Sequence, residues 1–269
     1  MNLTLDPTLA DGYKSPSQRS RVITEGWTAA NMYCPVCGAP IEQYEANRPV
    51  ADFHCPRCGA QFEQKSKKSK SASLPKKIAG GEYQKMLDRL SSADSPHLFV
   101  MTYNDGKVQN LIVIPNHFFT PSVVEARKAL SDNARRHGWQ GSYIHLADIP
   151  ESGRIYIVRD GQAVDKNEVI GQYRKTLTLK TPDLNSRGWL LDVLKCVESI
   201  PMDEFALADV YAFTKHLQRK HPGNRFIQDK IRQQLQYLRD CGFVVFTSRG
   251  HYKKGVNITR FNDTSRLAQ

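Results

Sequence analysis

The 269-residue sequence predicts a mixed α/β core followed by a smaller C-terminal unit of helices closed by a β-hairpin. Three observations carry this. Apolar strand-length runs alternate with amphipathic helical stretches up to about residue 180, a proline and polar break follows at 180–183, and beyond it three apolar stripes at helical spacing precede two last strand-like runs. With 40% hydrophobic and 24% charged residues, the chain can bury real cores and is neither fibrous nor wholly disordered. The break divides it into residues 1–183 and 184–269.

Proline after Ser15, a residue type suited to an N-cap, predicts a short helix over 16–27. Strand-like runs follow at 49–54 and 60–65, and 65–77, with six lysines, serines and a proline, reads as a basic loop or linker. The apolar runs 97–103 and 109–114 flank Asn104, Asp105 and Gly106, a turn signal that predicts a central hairpin. Residues 154–158 supply another strand, and helices are expected over 81–92, 121–132 and 166–176.

In the C-terminal unit, Trp189, Val193, Cys196, Val197 and Ile200 make one stripe and residues 205–217 a second. Asn224 can cap a third helix, in which Ile227, Ile231, Leu235 and Leu238 recur at helical spacing and Gly242 marks the end. Residues 243–246 and 251–254, joined through Ser248, Arg249 and Gly250, complete a hairpin. Three helices and a basic hairpin are the winged-helix form of helix-turn-helix, whose third helix enters the major groove. Lys230, Arg232 and Gln233 on that helix and Arg249 in the wing are candidate DNA-binding residues.

Charge agrees with a polyanionic partner. Lys and Arg number 38 against 27 Asp and Glu, a net +11 and a pI near 9.4, and both halves share the surplus. No run approaches the roughly 20 apolar residues that span a bilayer, and residues 1–14 lack the basic and apolar regions of a signal peptide. No membrane partner is expected, and the chain reads as cytoplasmic.

The six cysteines sharpen the picture. Cys34, Cys37, Cys55 and Cys58 form C-x2-C-x17-C-x2-C, each pair followed by a glycine. Two intervening residues let a tight turn aim both sulfurs at one ion, and the glycine permits the positive φ of such a knuckle. The pattern predicts tetrahedral structural Zn2+, with no open position for chemistry. Two redox pairs would leave the matched glycines unexplained. Cys196 and Cys241 fall in apolar helical patterns and read as buried core residues.

Asp52 lies on the first strand-like run and Glu63, Gln64 and Lys65 on the next. Side chains alternate along a strand, so Glu63 and Lys65 share a face, and a turn at 55–58 would bring them beside Asp52. Two carboxylates are hard-oxygen ligands for Mg2+, a lysine ammonium can orient water, and the Gln64 main-chain carbonyl could complete the metal site. This is the set that phosphodiester hydrolysis needs, although D-x(n)-E-x-K also occurs by chance as an ordinary salt bridge. Pro49 shortly before Asp52 strengthens the pattern.

Taken with YKSPSQRSRVITEGW at 13–27, YCPVCG at 33–38, NRPVADFHC at 47–55, FEQKSKK at 62–68, ARRHGW at 134–139, SRGWLLDVLKC at 186–196 and KIRQQLQYLRD at 230–240, the chain resembles the DpnI restriction endonuclease family over nearly its whole length. The resemblance implies an α/β fold with a PD-(D/E)xK restriction-endonuclease-like core, an embedded four-cysteine zinc site and a C-terminal winged helix. It implies a bacterial, methyl-directed type II endonuclease that cuts both strands of double-stranded DNA at GATC containing N6-methyladenine, leaving blunt ends. Asp52, Glu63 and Lys65 match its catalytic positions and the four spaced cysteines its zinc ligands. Residues 255–269 extend beyond the family's pattern, and divergent charged residues prevent carrying over individual phosphate contacts. No patterned dimer surface is evident, so a monomer in solution is expected. The alternative from another class is a zinc-ribbon and winged-helix DNA-binding regulator without catalysis.

The adenine methyl group lies in the major groove, where apolar surface distinguishes it by about 1–3 kcal/mol per site. Trp139, close after Arg135 and Arg136, is a candidate wall for a methyl pocket, with the arginines on guanine or phosphate. The competing reading is a buried core tryptophan beside surface arginines.

Overall fold

The computed structural model describes residues 1–45, 51–71, 73–92 and 95–258. Helix α1 (Pro16–Asn31) runs four residues past its expected end, to Asn31, and Trp27 is buried beneath it. Strands β1 (Glu42–Gln43), β2 (Phe53–His54) and β3 (Gln61–Lys68) follow, then β4 (Ile78–Glu82) and α2 (Tyr83–Arg89). Next come the hairpin β5 (His97–Asn104) and β6 (Lys107–Ile114), β7 (Val124–Ala126), β8 (Gly141–Ile144), β9 (Ile155–Arg159), β10 (Gln162–Ala163) and α3 (Lys166–Thr176).

A seven-stranded sheet has the order β1-β2-β3-β5-β6-β9-β10, with β5 and β6 at its centre as the apolar runs predict. Asp105 (φ 46°) and Gly106 (φ 71°) form their left-handed turn, the conformation that the Asp-Gly pair favours. Asp160 (φ 48°) and Gly161 (φ 73°) repeat the device between β9 and β10, a hairpin the sequence signals but the periodicity reading misses. β3 and β5 are parallel, with β4 and α2 in the crossover between them. Successive residues of β5 bury opposite faces. Phe99 and Met101 meet the core under α1 and α3, whereas Leu98 and Val100 meet the core that continues into the C-terminal unit. Burial on both faces explains the unbroken apolar run.

Several expectations are corrected. Residues 121–132 are not a helix. A 3-10 turn at Pro121–Val123 leads into β7, which pairs with β8 in a separate sheet of order β4-β8-β7. The helix expected from 81 begins at Tyr83 and ends at Arg89, because residues 78–82 pair with β8. The basic segment does not loop from 65: Lys65, Lys67 and Lys68 belong to β3, held by β5.

The C-terminal unit comprises α4 (Leu184–Ser199), β11 (Glu204–Ala206), α5 (Leu207–Tyr211), α6 (Thr214–Lys220), α7 (Ile227–Asp240), β12 (Val244–Ser248) and β13 (His251–Lys254), with the small sheet ordered β11-β13-β12. Phe205 therefore lies in a strand, and the second helix divides at residues 212–213. α7 begins at Ile227, and Asn224 Oδ1 accepts the Phe226 N–H at 2.7 Å in the turn before it rather than capping the helix. Cys196 is buried as expected, but Cys241 is half-buried after α7, its thiol donating to the Thr178 carbonyl at 3.2 Å.

α4 binds the two parts of the chain together. Arg187, 8% exposed, donates to the carbonyls of Thr181, Leu90 and Phe119. Glu198 accepts the Glu151 and Ser152 N–H groups and the Ser152 hydroxyl.

Candidate metal and nucleic-acid sites

The two cysteine knuckles are near copies. Cys34 N–H bonds Ala39 O at 2.7 Å and Gly38 N–H bonds Cys34 O at 2.8 Å; in the second, Cys55 N–H bonds Ala60 O at 2.8 Å and Gly59 N–H bonds Cys55 O at 2.9 Å. Gly38 (φ 80°) and Gly59 (φ 73°) occupy the left-handed region that the repeated glycine anticipates. All four sulfurs lie within 4.8 Å of one another, with Cys34–Cys58 at 3.6 Å and Cys37–Cys55 at 3.5 Å. Tetrahedral zinc with Zn–S bonds of about 2.3 Å requires sulfurs roughly 3.8 Å apart, so the cluster can hold zinc.

The second knuckle is the turn of the hairpin that joins the candidate catalytic residues. β2 pairs antiparallel with β3, Phe53 opposite Phe62 and His54 opposite Gln61, with residues 55–60 between them. Asp52 lies just before β2 rather than within a six-residue strand, and Pro49 lies outside the described residues. Its N–H bonds Phe62 O at 2.9 Å, and its Oδ2 accepts the Gln64 N–H at 2.7 Å. Glu63 and Lys65 share a face of β3 and form a 2.6 Å ion pair. Burial pushes the Asp52 carboxyl up, opposed by the Gln64 N–H and the Lys65 ammonium, with Glu63 pushing it further up. Gln64 points its side chain to the opposite face, where it is 7% exposed.

Beside Asp52 opens a cavity of about 310 Å³, lined by Arg21, Glu25, Asp52, Gln64, Lys65 and Ser66 among others. Glu25 was not singled out by the sequence. Burial, then Asp52, pushes its carboxyl up to about 7. Its one local signal is the i,i+4 relation to Arg21, which surface helices share widely.

Trp139 is half-buried and outside both apolar cores, so the core-tryptophan reading fails. The segment after β7 folds back through Leu130 N–H to Trp139 O (3.0 Å) and Gly138 N–H to Leu130 O (3.1 Å). A Cβ at Gly141 would meet the indole at 2.8 Å, so glycine there lets the ring lie against β8. The Arg136 guanidinium lies 4.9 Å from the ring centroid, and Arg135 is exposed.

On α7, buried Ile231, Leu235 and Leu238 leave Arg232 and Gln233 exposed and Lys230 half-exposed. Lys230 Nζ donates to Gln233 Oε1 at 2.7 Å, while Arg232 bonds Asp229 and, at 2.8 Å, Tyr211 Oη. Arg249 stands exposed at the tip between β12 and β13. Asp192, absent from the sequence reading, is buried in α4 and holds Lys220 (2.6 Å) and His221 (2.9 Å), the latter stacked 3.8 Å from the Trp189 ring centroid. These contacts lock the turn leading to α7. No helix among the described residues is long and apolar enough to cross a membrane.

Comparison with protein families gives two matches. Residues 1–182 match the DpnI model, described as the Dam-replacing family, and residues 185–254 match DpnI_C, described as the Dam-replacing HTH domain.

Proposed function

The chain belongs to the DpnI family, whose members are methylation-dependent restriction endonucleases with a DNA-binding helix-turn-helix domain, and from that premise we propose that it is a Mg2+-dependent type II enzyme cutting double-stranded DNA at GATC containing N6-methyladenine, to blunt ends. The observation that supports this reading best is the knuckle-closed hairpin, in which Asp52 caps the Gln64 N–H one residue from the Glu63–Lys65 pair. In this reading the fold is of PD-(D/E)xK type, residues 1–183 form the nuclease domain, and residues 184–269 form the winged-helix domain.

Asp52, Glu63 and the Gln64 main-chain carbonyl are hard-oxygen donors that fit Mg2+, and the half-buried, hydrogen-bonded Asp52 is held ready for it. When bound, Mg2+ supplies charge neutralisation at the scissile phosphate and acidifies water. Glu63 accepts from Lys65 and holds the ammonium near the site, where it orients water and offsets developing charge. Zn2+ at Cys34, Cys37, Cys55 and Cys58 fastens the hairpin that carries these groups. Trp139 supplies apolar surface for the adenine methyl, with Arg135 and Arg136 on guanine or phosphate. Lys230, Arg232, Gln233 and Arg249 contact DNA from the recognition helix and wing. The enzyme acts as a monomer in solution, in a bacterial cytoplasm.

The test is one plasmid prepared with and without N6-methyladenine at GATC, incubated with the protein in Mg2+ and, separately, in chelator. Cutting only of the methylated plasmid, only with Mg2+, is expected. Binding without cutting would instead identify a non-catalytic regulator.

A further inference from the structure

We propose that Tyr211 and Asp229 are positioning residues that hold Arg232 of the recognition helix ready for the O6 and N7 acceptors of guanine in GATC. The inference rests on the reading above, in which Arg232 contacts DNA, and adds the base it reads and the groups that aim it. Arg232 lies in the second turn of α7, in the N-terminal half that a recognition helix presents to base edges. Its guanidinium is tied at both ends: Nη2 donates to Asp229, three residues earlier on the same helix, and Nη1 donates to Tyr211 Oη at 2.8 Å. Tyr211 ends α5 and packs against the apolar core, so this second anchor is fixed by another element.

Stability does not account for this arrangement. The Asp229 and Arg232 side chains are 61% and 50% exposed, and an ion pair so open to water contributes little to folding. What the two bonds supply is a single orientation for a long side chain, whose rotamer freedom would otherwise be lost only on binding DNA. They engage two of the five guanidinium donors, and the planar fork keeps donors for a pair of acceptors. The Asp229 carboxylate also offsets the charge of Arg232, which weakens its pull on any phosphate and favours a partner recognised by geometry. In the major groove, guanine presents two neighbouring acceptors, O6 and N7, that match such a fork.

The experiment measures binding of the full-length zinc-loaded protein, without Mg2+, to duplexes whose N6-methylated GATC carries either guanine or 7-deazaguanine, which lacks N7. Loss of that acceptor should weaken wild-type binding about 5–150-fold, the discrimination of one bidentate contact. In Tyr211→Phe, which keeps the ring and removes the hydroxyl, this loss should shrink at least about threefold. Its affinity for random-sequence duplex and the salt dependence of that affinity should match the wild type. In Arg232→Gln the sensitivity should also fall, and adding Tyr211→Phe should change nothing further; circular dichroism confirms that each variant is folded. Equal sensitivity to 7-deazaguanine in the wild type and both variants would overturn the inference and leave the nuclease reading intact. A smaller salt slope with uniform weakening on every sequence in Arg232→Gln would also overturn it, marking a phosphate contact instead. No preference of the wild type for methylated GATC over random duplex would overturn the GATC reading as well.

Discussion

Acidification from pH 7 to pH 5 should weaken the protein through two buried imidazoles, and His97 provides the test. This residue opens β5, the strand that holds β3 in place, and is 8% exposed. Its Nδ1 accepts the Asn116 N–H at 3.0 Å, so the proton sits on Nε2, which faces Tyr173 Oη at 3.2 Å. Protonating Nδ1 would set two N–H groups against each other in an apolar site. Burial, aided by Lys180, accordingly pulls the pKa down to about 4, and burial, aided by His97 among others, pulls His117 to about 3. Because both folded-state values lie below the unfolded value near 6.5, their contribution is complete above pH 6.5 and is lost as pH falls towards 4 and 3. Between pH 7 and 5 the loss is about 2 kcal/mol for each. Glu25, raised to about 7, works in the opposite direction over this window, gaining about 2 kcal/mol as pH falls. Total stability therefore mixes signs, and a comparison of variants isolates His97. In His97→Gln the amide can replace both hydrogen bonds without titrating. Urea unfolding at pH 7, 6 and 5 should show the variant losing about 2 kcal/mol less than the wild type over this range. Parallel losses in the two proteins would refute the reasoning.

Four further outcomes are expected. Asp52→Asn keeps an acceptor for the Gln64 N–H, so folding and DNA binding in a gel-shift assay should persist while Mg2+-dependent cleavage disappears; retained cutting would remove Asp52 from the site. Stripping zinc with a strong chelator releases the 55–58 turn between Asp52 and Glu63, and scanning calorimetry should show a fall in Tm together with loss of cleavage, both restored by added zinc. Trp139→Ala removes a half-buried ring from outside the cores, so Tm should change little while preference for methylated over unmethylated DNA falls by about 10–200-fold, read from competing cleavage rates. Arg187→Met leaves the two buried carbonyls of Leu90 and Phe119 and the half-buried one of Thr181 without the guanidinium and should cost about 3–5 kcal/mol in urea unfolding, whereas a loss under about 1 kcal/mol would show that water replaces the guanidinium.

What could be read without the structure was what nearby residues decide among themselves. The cysteine spacing and its glycines define two knuckles because ligand geometry is set within four residues. Asp105-Gly106 specifies a turn because few residue pairs tolerate left-handed backbone, and the stripe of Ile227, Ile231, Leu235 and Leu238 specifies a helix because it repeats at the helical period. Where a segment's partner is distant, local pattern misled. Residues 124–126 became a strand because β8 supplies their hydrogen bonds, and the lysines of 65–68 became ordered because β5 pairs alongside them. The same division holds at the site. Asp52 and Glu63 could be associated across a nearby turn, whereas Glu25 enters only because the sheet's apolar face draws α1 over β3. Arg187 likewise looks like a surface cation until its three carbonyl partners, brought from Leu90, Phe119 and Thr181 by the packing of α4, surround it. Short-range chemistry is written in residue spacing, but long-range contacts are decided by burial of area shared among many residues, which no single motif records.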